Sequence, residues 1–141
     1  MKTFVLIFIA IAYSFNISAQ YNPEKINKKA VQFYNQAMQR AEDGNLVNAT
    51  ALLQQAINAD KNYVDAYLSL AGVYGQLKNY NSSISNYELA FAIDSNYTID
   101  YKLPYAINLA GQGKFEKALT AINQLLAKRT TTTTSTYKAA I

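Results

Sequence analysis

The sequence predicts an all-α protein, a right-handed solenoid of three stacked helix hairpins. Three observations lead there. Residues that interrupt helices are scarce, with 5 Gly and 2 Pro among 141 residues. Apolar residues recur at the spacing of one helix face from Ile26 onward. The pattern then returns at a fixed interval, as Ala71 follows Ala37 and Tyr97 follows Tyr63, each by 34 positions.

Lys2 precedes the apolar run FVLIFIAIAY and a short polar stretch, SFNISA, that ends in Ala19. This is the three-part layout of a secretory leader, with cleavage expected between Ala19 and Gln20. The apolar run is too short for the roughly 20 residues that a bilayer crossing needs. No membrane span is therefore expected once the leader is removed. No Cys follows the run, so a lipid anchor on Cys cannot form.

Asn22-Pro23-Glu24 reads as an N-cap, a Pro at the first helical position and an acid in the first turn. Ile26, Ala30, Phe33, Ala37 and Ala41 then mark one face of a first helix. Glu42-Asp43-Gly44-Asn45 stops it, with Gly available for a left-handed helix end. A second helix is predicted over residues 46–59.

Shifted by 34, Ala49 falls on Ser83, Leu53 on Tyr87, Ala56 on Ala90, Asp60 on Asp94 and Asn62 on Asn96. A third copy comes one residue late, with Gly113 to Ala118 echoing Gly44 to Ala49. The repeats are placed at about 30–63, 64–98 and 99–129. Sterics explain the pattern: antiparallel helices approach closely only where the crossing positions are small. Ala37, Ala71 and Ala106 serve the first helices, and Ala49, Ser83 and Ala118 the second. Larger residues such as Leu53, Leu70, Tyr74, Tyr87 and Ile122 fill the gaps. One hairpin cannot bury its own apolar face, so stacking creates the core.

The segment Ala66-Tyr67-Leu68-Ser69-Leu70-Ala71-Gly72-Val73-Tyr74 resembles the first-helix consensus of the tetratricopeptide repeat family. The resemblance covers about residues 30–127 and implies a protein-binding solenoid. Departures from the pattern are the missing Trp, Lys61 and Ser95 where the family often ends a repeat with Pro, and Pro104 near the start of the third unit's first helix. Pro104 is expected to delay or kink that helix. Residues 130–135, TTTTTS, read as a linker of poor helix propensity, and the last residues as the start of a further helix. A leader ending Ser-Ala-Gln, three repeats and a linker are together similar to the N-terminal part of Bacteroidota envelope proteins. In those proteins the repeats precede a β-propeller and an OmpA-like domain, and some resemble type IX secretion components.

The chain has no Cys and no His. Structural zinc, disulfides, Cys nucleophiles and imidazole acid–base chemistry are excluded together. Ser and Thr then lack their ordinary activator, the acids fall mainly at helix ends, and Gly111-Gln112-Gly113 reads as a turn and not a phosphate cradle. No catalytic residue, cofactor or metal is assigned. The net charge of +4 is scattered, and no basic run is dense enough to track nucleic acid.

The functional surface expected from the repeat register is the concave groove lined by the first helices. Its exposed positions are Tyr34 and Met38 in unit one, Leu68 and Gly72 in unit two, and Leu103 and Ile107 in unit three. These are apolar or small, and suit an apolar or amphipathic segment of another protein. Tyr63 and Tyr97, at the inter-repeat turns, are candidate anchors. The expected role is a non-catalytic scaffold in the periplasm or at the inner side of the outer membrane. The alternative is a spacer or self-association module of a larger outer-membrane-associated protein.

Overall fold

A computed structural model describes residues 20–139 of the chain, so the expected leader lies outside the described residues. Six α-helices follow one another: α1 (Lys28–Glu42), α2 (Leu46–Ala59), α3 (Val64–Gln76), α4 (Tyr80–Ile93), α5 (Lys102–Gly111) and α6 (Phe115–Ala139). No strand occurs among the described residues. The helices pair as α1/α2, α3/α4 and α5/α6, and each pair stacks on the next through α2 on α3 and α4 on α5.

One turn closes all three hairpins. Gly44 (φ 77°), Lys78 (φ 57°) and Gly113 (φ 77°) hold the left-handed conformation that ends a helix. The next N–H in each case reaches back five residues to the last turn: Asn45 to Arg40 O (2.8 Å), Asn79 to Tyr74 O (2.9 Å) and Lys114 to Leu109 O (2.9 Å). In the first two turns that residue also starts the following helix. Asn45 Oδ1 accepts the Asn48 N–H and Asn79 Oδ1 accepts the Ser82 N–H, each at 3.3 Å. Lys114 offers no such acceptor.

The crossing positions are as small as the packing requires. Ala37, Ala49, Ala56, Ala71 and Ala90 are fully buried, and Ser83 joins them with its hydroxyl donating to Ala71 O across the hairpin (2.7 Å). Leu53, Leu70, Val64 and Leu109 fill the space between.

Two sequence expectations are corrected and a third, that for Pro104, is narrowed from delay or kink to delay alone. Asn22 caps only a single 3-10 turn, Pro23–Lys25; Asn27 caps α1, its Oδ1 accepting the Lys29 N–H (2.8 Å). Pro104 does not kink α5 but stands in its first turn, where no backbone donor is needed. The delay it imposes is visible in the 3-10 turn Ile99–Tyr101 ahead of a ten-residue α5. The Thr run is no linker, since α6 continues through it to Ala139. Thr130 donates to Leu126 O (2.9 Å), Thr131 to Lys128 O (2.7 Å) and Thr132 to Lys128 O (3.0 Å). Such back-bonding lets a hydroxyl sit within a helix without competing for its N–H groups.

Candidate peptide-binding groove

Of the six groove positions, the structure leaves three open. Leu103 (49% exposed) and Ile107 (63% exposed) project from α5 into solvent. Gly72 faces open space: a Cβ placed there meets no atom within 4 Å. Tyr34 and Met38 are half-buried on α1. Leu68 is corrected, because it is 3% exposed and belongs to the main core cluster, against which Tyr34 and Met38 pack. Helix α3 is central in the stack, so its neighbours cover a side chain that the register alone assigns to the surface.

Two of the first helices, α3 and α5, approach closely toward their C-terminal ends. A Cβ on Gly75 of α3 would lie 2.8 Å from Asn108 Oδ1 of α5. Asn108 is itself buried and held by its Nδ2 donating to Pro104 O (2.7 Å). Glycine at 75 thus sets the spacing of α3 and α5, the floor between units two and three.

At the other end of the first helices, the inter-repeat turns are tied together by the segment preceding α1. Asp60 Oδ1 accepts the Asn62 N–H (3.0 Å), and its Oδ2 accepts the Asn27 N–H (3.0 Å). Thirty-four residues on, Asp94 Oδ1 accepts the Asn96 and Tyr97 N–H groups (both 2.9 Å), and its Oδ2 accepts the Tyr21 N–H (2.9 Å). These N–H donors hold the Asp94 carboxyl below its usual range, those of Tyr97 and Tyr21 most of all. Residues 21–27 therefore run as a strap along the turns. Sequence reasoning assigned the two aspartates to caps but missed the strap, which no local pattern encodes.

Tyr63 and Tyr97 part company. Tyr63 is 6% exposed and packs on Tyr34, ring centroids 5.1 Å apart, which makes it a core residue. Burial, with the nearby Tyr34 and Asp65, pushes its hydroxyl up to about 12. Tyr97 is 43% exposed and donates to Asp65 Oδ1 (2.8 Å). Tyr21 donates to the other oxygen, Oδ2 (2.9 Å), and meets the Tyr97 ring edge-on at 4.7 Å. Asp65 is thus no simple helix-dipole acid but the centre of a tyrosine cluster.

The last hairpin is open on its outer face. Ile84 and Tyr87 of α4 are buried and Phe91 is partly covered, with Tyr105 of α5 against both rings (6.1 and 5.2 Å). The corresponding stripe on α6 leaves Phe115, Leu119 and Leu126 more than half exposed. Among the described residues no helix is long and apolar enough to cross a membrane. Nor does any group of three or more acidic side chains among them form a metal site.

Solved structures share this arrangement. MamA protein superposes with a TM-score of 0.67 at 24% identity, over 71% of this chain and 54% of that one. The fold is the tetratricopeptide solenoid. A second MamA structure gives a TM-score of 0.71 at 23% identity, covering 75% of this chain and 61% of that one. The matched region thus spans a little over half the length of the MamA chains. The second tetratricopeptide domain of Spaghetti (RPAP3), bound to the HSP90 peptide SRMEEVD, matches with a TM-score of 0.67 at 16% identity, over 71% of this chain and 92% of that domain. SycD, a type III secretion translocator chaperone of Yersinia enterocolitica, gives 0.66 at 20% identity, over 84% of this chain and 95% of that one. No protein-family model and no curated protein sequence matches the chain.

Proposed function

We propose that this protein is a non-catalytic scaffold that holds a segment of a partner protein in its concave groove. The observation that carries the reading is the run of open positions, Gly72, Leu103 and Ile107, on a fold held rigid by its small crossing residues. Apolar side chains exposed on the inner face of a stacked solenoid suit an amphipathic or apolar segment. A solved relative by fold, RPAP3, is seen with a bound peptide, which supports the mode of binding but not the identity of the ligand. The leader-like first 19 residues support export, and we place the protein in the periplasm or at the inner side of the outer membrane.

The test compares residues 20–141 with a Leu103→Glu, Ile107→Glu double variant of unchanged circular dichroism. Leu68 is left intact because a charge in the core would unfold the domain. A partner cross-linked to the parent, whose contacting segment as a synthetic peptide binds the parent and not the variant, establishes the groove. Equal binding to both refutes it.

A second reading, as a module within a larger envelope protein, is favoured by the open outer face of α6. That face is the register equivalent of one that α5 covers on α4, so a further first-type helix fits it. Among the described residues α1 presents Lys29, Gln32, Gln36 and Gln39 to solvent, a polar face unsuited to that role from another copy.

A further inference from the structure

We infer that the Asp65 tyrosine cluster at the end of the groove is a cation-binding cage, which receives a lysine or arginine side chain of the bound segment. The inference rests on the groove-binding reading and adds the polarity of the ligand to it.

Asp65 lies in the first turn of α3, where the first helices begin, and is only partly covered. Its two oxygens accept one phenol each, from Tyr97 at 2.8 Å and Tyr21 at 2.9 Å. A carboxylate has about four lone-pair positions, so roughly half of its accepting capacity remains. Among the described residues no Lys or Arg nitrogen lies within 4 Å of it. Phenols orient a carboxylate but bring no opposite charge to it.

The surroundings are aromatic. Tyr34 packs on Tyr63, two residues before Asp65, and the Tyr34 hydroxyl is 3.2 Å from Ser69 Oγ on α3. Tyr101 (38% exposed) and Tyr97 (43% exposed) leave ring surface open to solvent. Burial first, and the Asp65 carboxylate second, push the Tyr101 hydroxyl above its ordinary value. Two phenols, Tyr21 from the strap and Tyr97 from the turn after α4, therefore hold one carboxylate that no described Lys or Arg pairs with, and a further exposed tyrosine ring, Tyr101, stands at the entry to α5. The faces of such rings are electronegative, and a desolvated cation gains from them as well as from the carboxylate. An anionic end group would be repelled, so a partner whose recognition depends on a C-terminal carboxylate is excluded here. The ligand is then a basic side chain followed by apolar ones that continue toward Gly72 and Ile107.

The test needs no partner. Isotope-labelled residues 20–141 are titrated with Nα-acetyl-lysine amide, and separately with the norleucine analogue, which has the same stem without the charge. Shifts at Asp65, Tyr97 and Tyr101 are expected with the lysine probe, at an affinity roughly tenfold above that of norleucine, and weaker in high salt. Asp65→Asn should abolish the difference. Tyr101→Leu touches none of the strap's hydrogen bonds and should reduce it, which covers the case in which Asp65→Asn loosens the fold. Equal response to both probes, or a lysine preference unchanged in Tyr101→Leu and in a folded Asp65→Asn, overturns the cage. Neither result depends on the Leu103→Glu, Ile107→Glu comparison, so cage and groove can fail separately.

Discussion

Lys78→Gly should make the protein more stable, although it removes a side chain and adds a flexible residue. The three hairpin turns are the same turn, with the same five-residue back-bond, and two of them use Gly. The third holds Lys at φ 57°, where a Cβ crowds the following carbonyl at a cost of about 1–2 kcal/mol. Against this, Gly loses more backbone freedom on folding, roughly 0.5–1 kcal/mol. Lys78 is exposed and its side chain has no hydrogen bond or ion pair with the described residues, so truncation itself costs little. The net gain is about 1 kcal/mol, or roughly 4 °C in Tm for a domain of this size. Gly44→Ala and Gly113→Ala give the mirror experiment. A Cβ at either meets no atom within 4 Å, so the expected loss of about 1 kcal/mol is purely conformational. Urea unfolding at constant m-value reads all three. If Lys78→Gly is neutral or destabilising while Gly44→Ala destabilises, the left-handed strain at 78 is not what limits that turn, and the reasoning fails.

Gly72 and Gly75 should respond to alanine in opposite directions: Gly72→Ala gains about 0.5–1 kcal/mol from helix propensity, whereas at Gly75 the Cβ meets Asn108 Oδ1 at 2.8 Å and thermal melts should show a loss. Equal effects would mean that α3 and α5 are not in contact there. Lys114→Asn restores the cap present at Asn45 and Asn79, and a stabilisation of about 1 kcal/mol by denaturant titration is expected. Acid should weaken the strap. The Asp94 carboxyl titrates below its unfolded value, so its contribution is complete above about pH 4 and is lost as pH falls through the lower folded value. In Asp94→Asn the Tyr21 N–H loses its acceptor, with a cost of roughly 1–2 kcal/mol at neutral pH. Its stability should then vary less between pH 5 and pH 2 than the parent's, as measured by unfolding at each pH.

The hairpins were legible in the sequence because each rests on a local or steric rule. Small residues mark crossings at Ala37, Ala71 and Ala106 because no larger side chain fits there, and Gly44 and Gly113 mark turns because the backbone needs positive φ. The α2 boundaries at Leu46 and Ala59 followed from the same rules. The Thr run misled for a related reason: propensity penalises hydroxyl residues, but it does not count the carbonyls of the preceding turn that accept their bonds.

The site was only half legible. Leu103 and Ile107 are exposed because α5 is the last first-type helix in the described stack, and periodicity alone predicted that exposure. Leu68 occupies the equivalent place on α3, yet its neighbours cover it. The strap and the Asp65 cluster join residues 73 and 44 positions apart, from Tyr21 to Asp94 and from Tyr21 to Asp65. Helix periodicity is a property of a single element and survives in a one-dimensional reading. Exposure, and the meeting of a carboxylate with phenols from two distant segments, depend on how elements stack, and only the tertiary structure decides them.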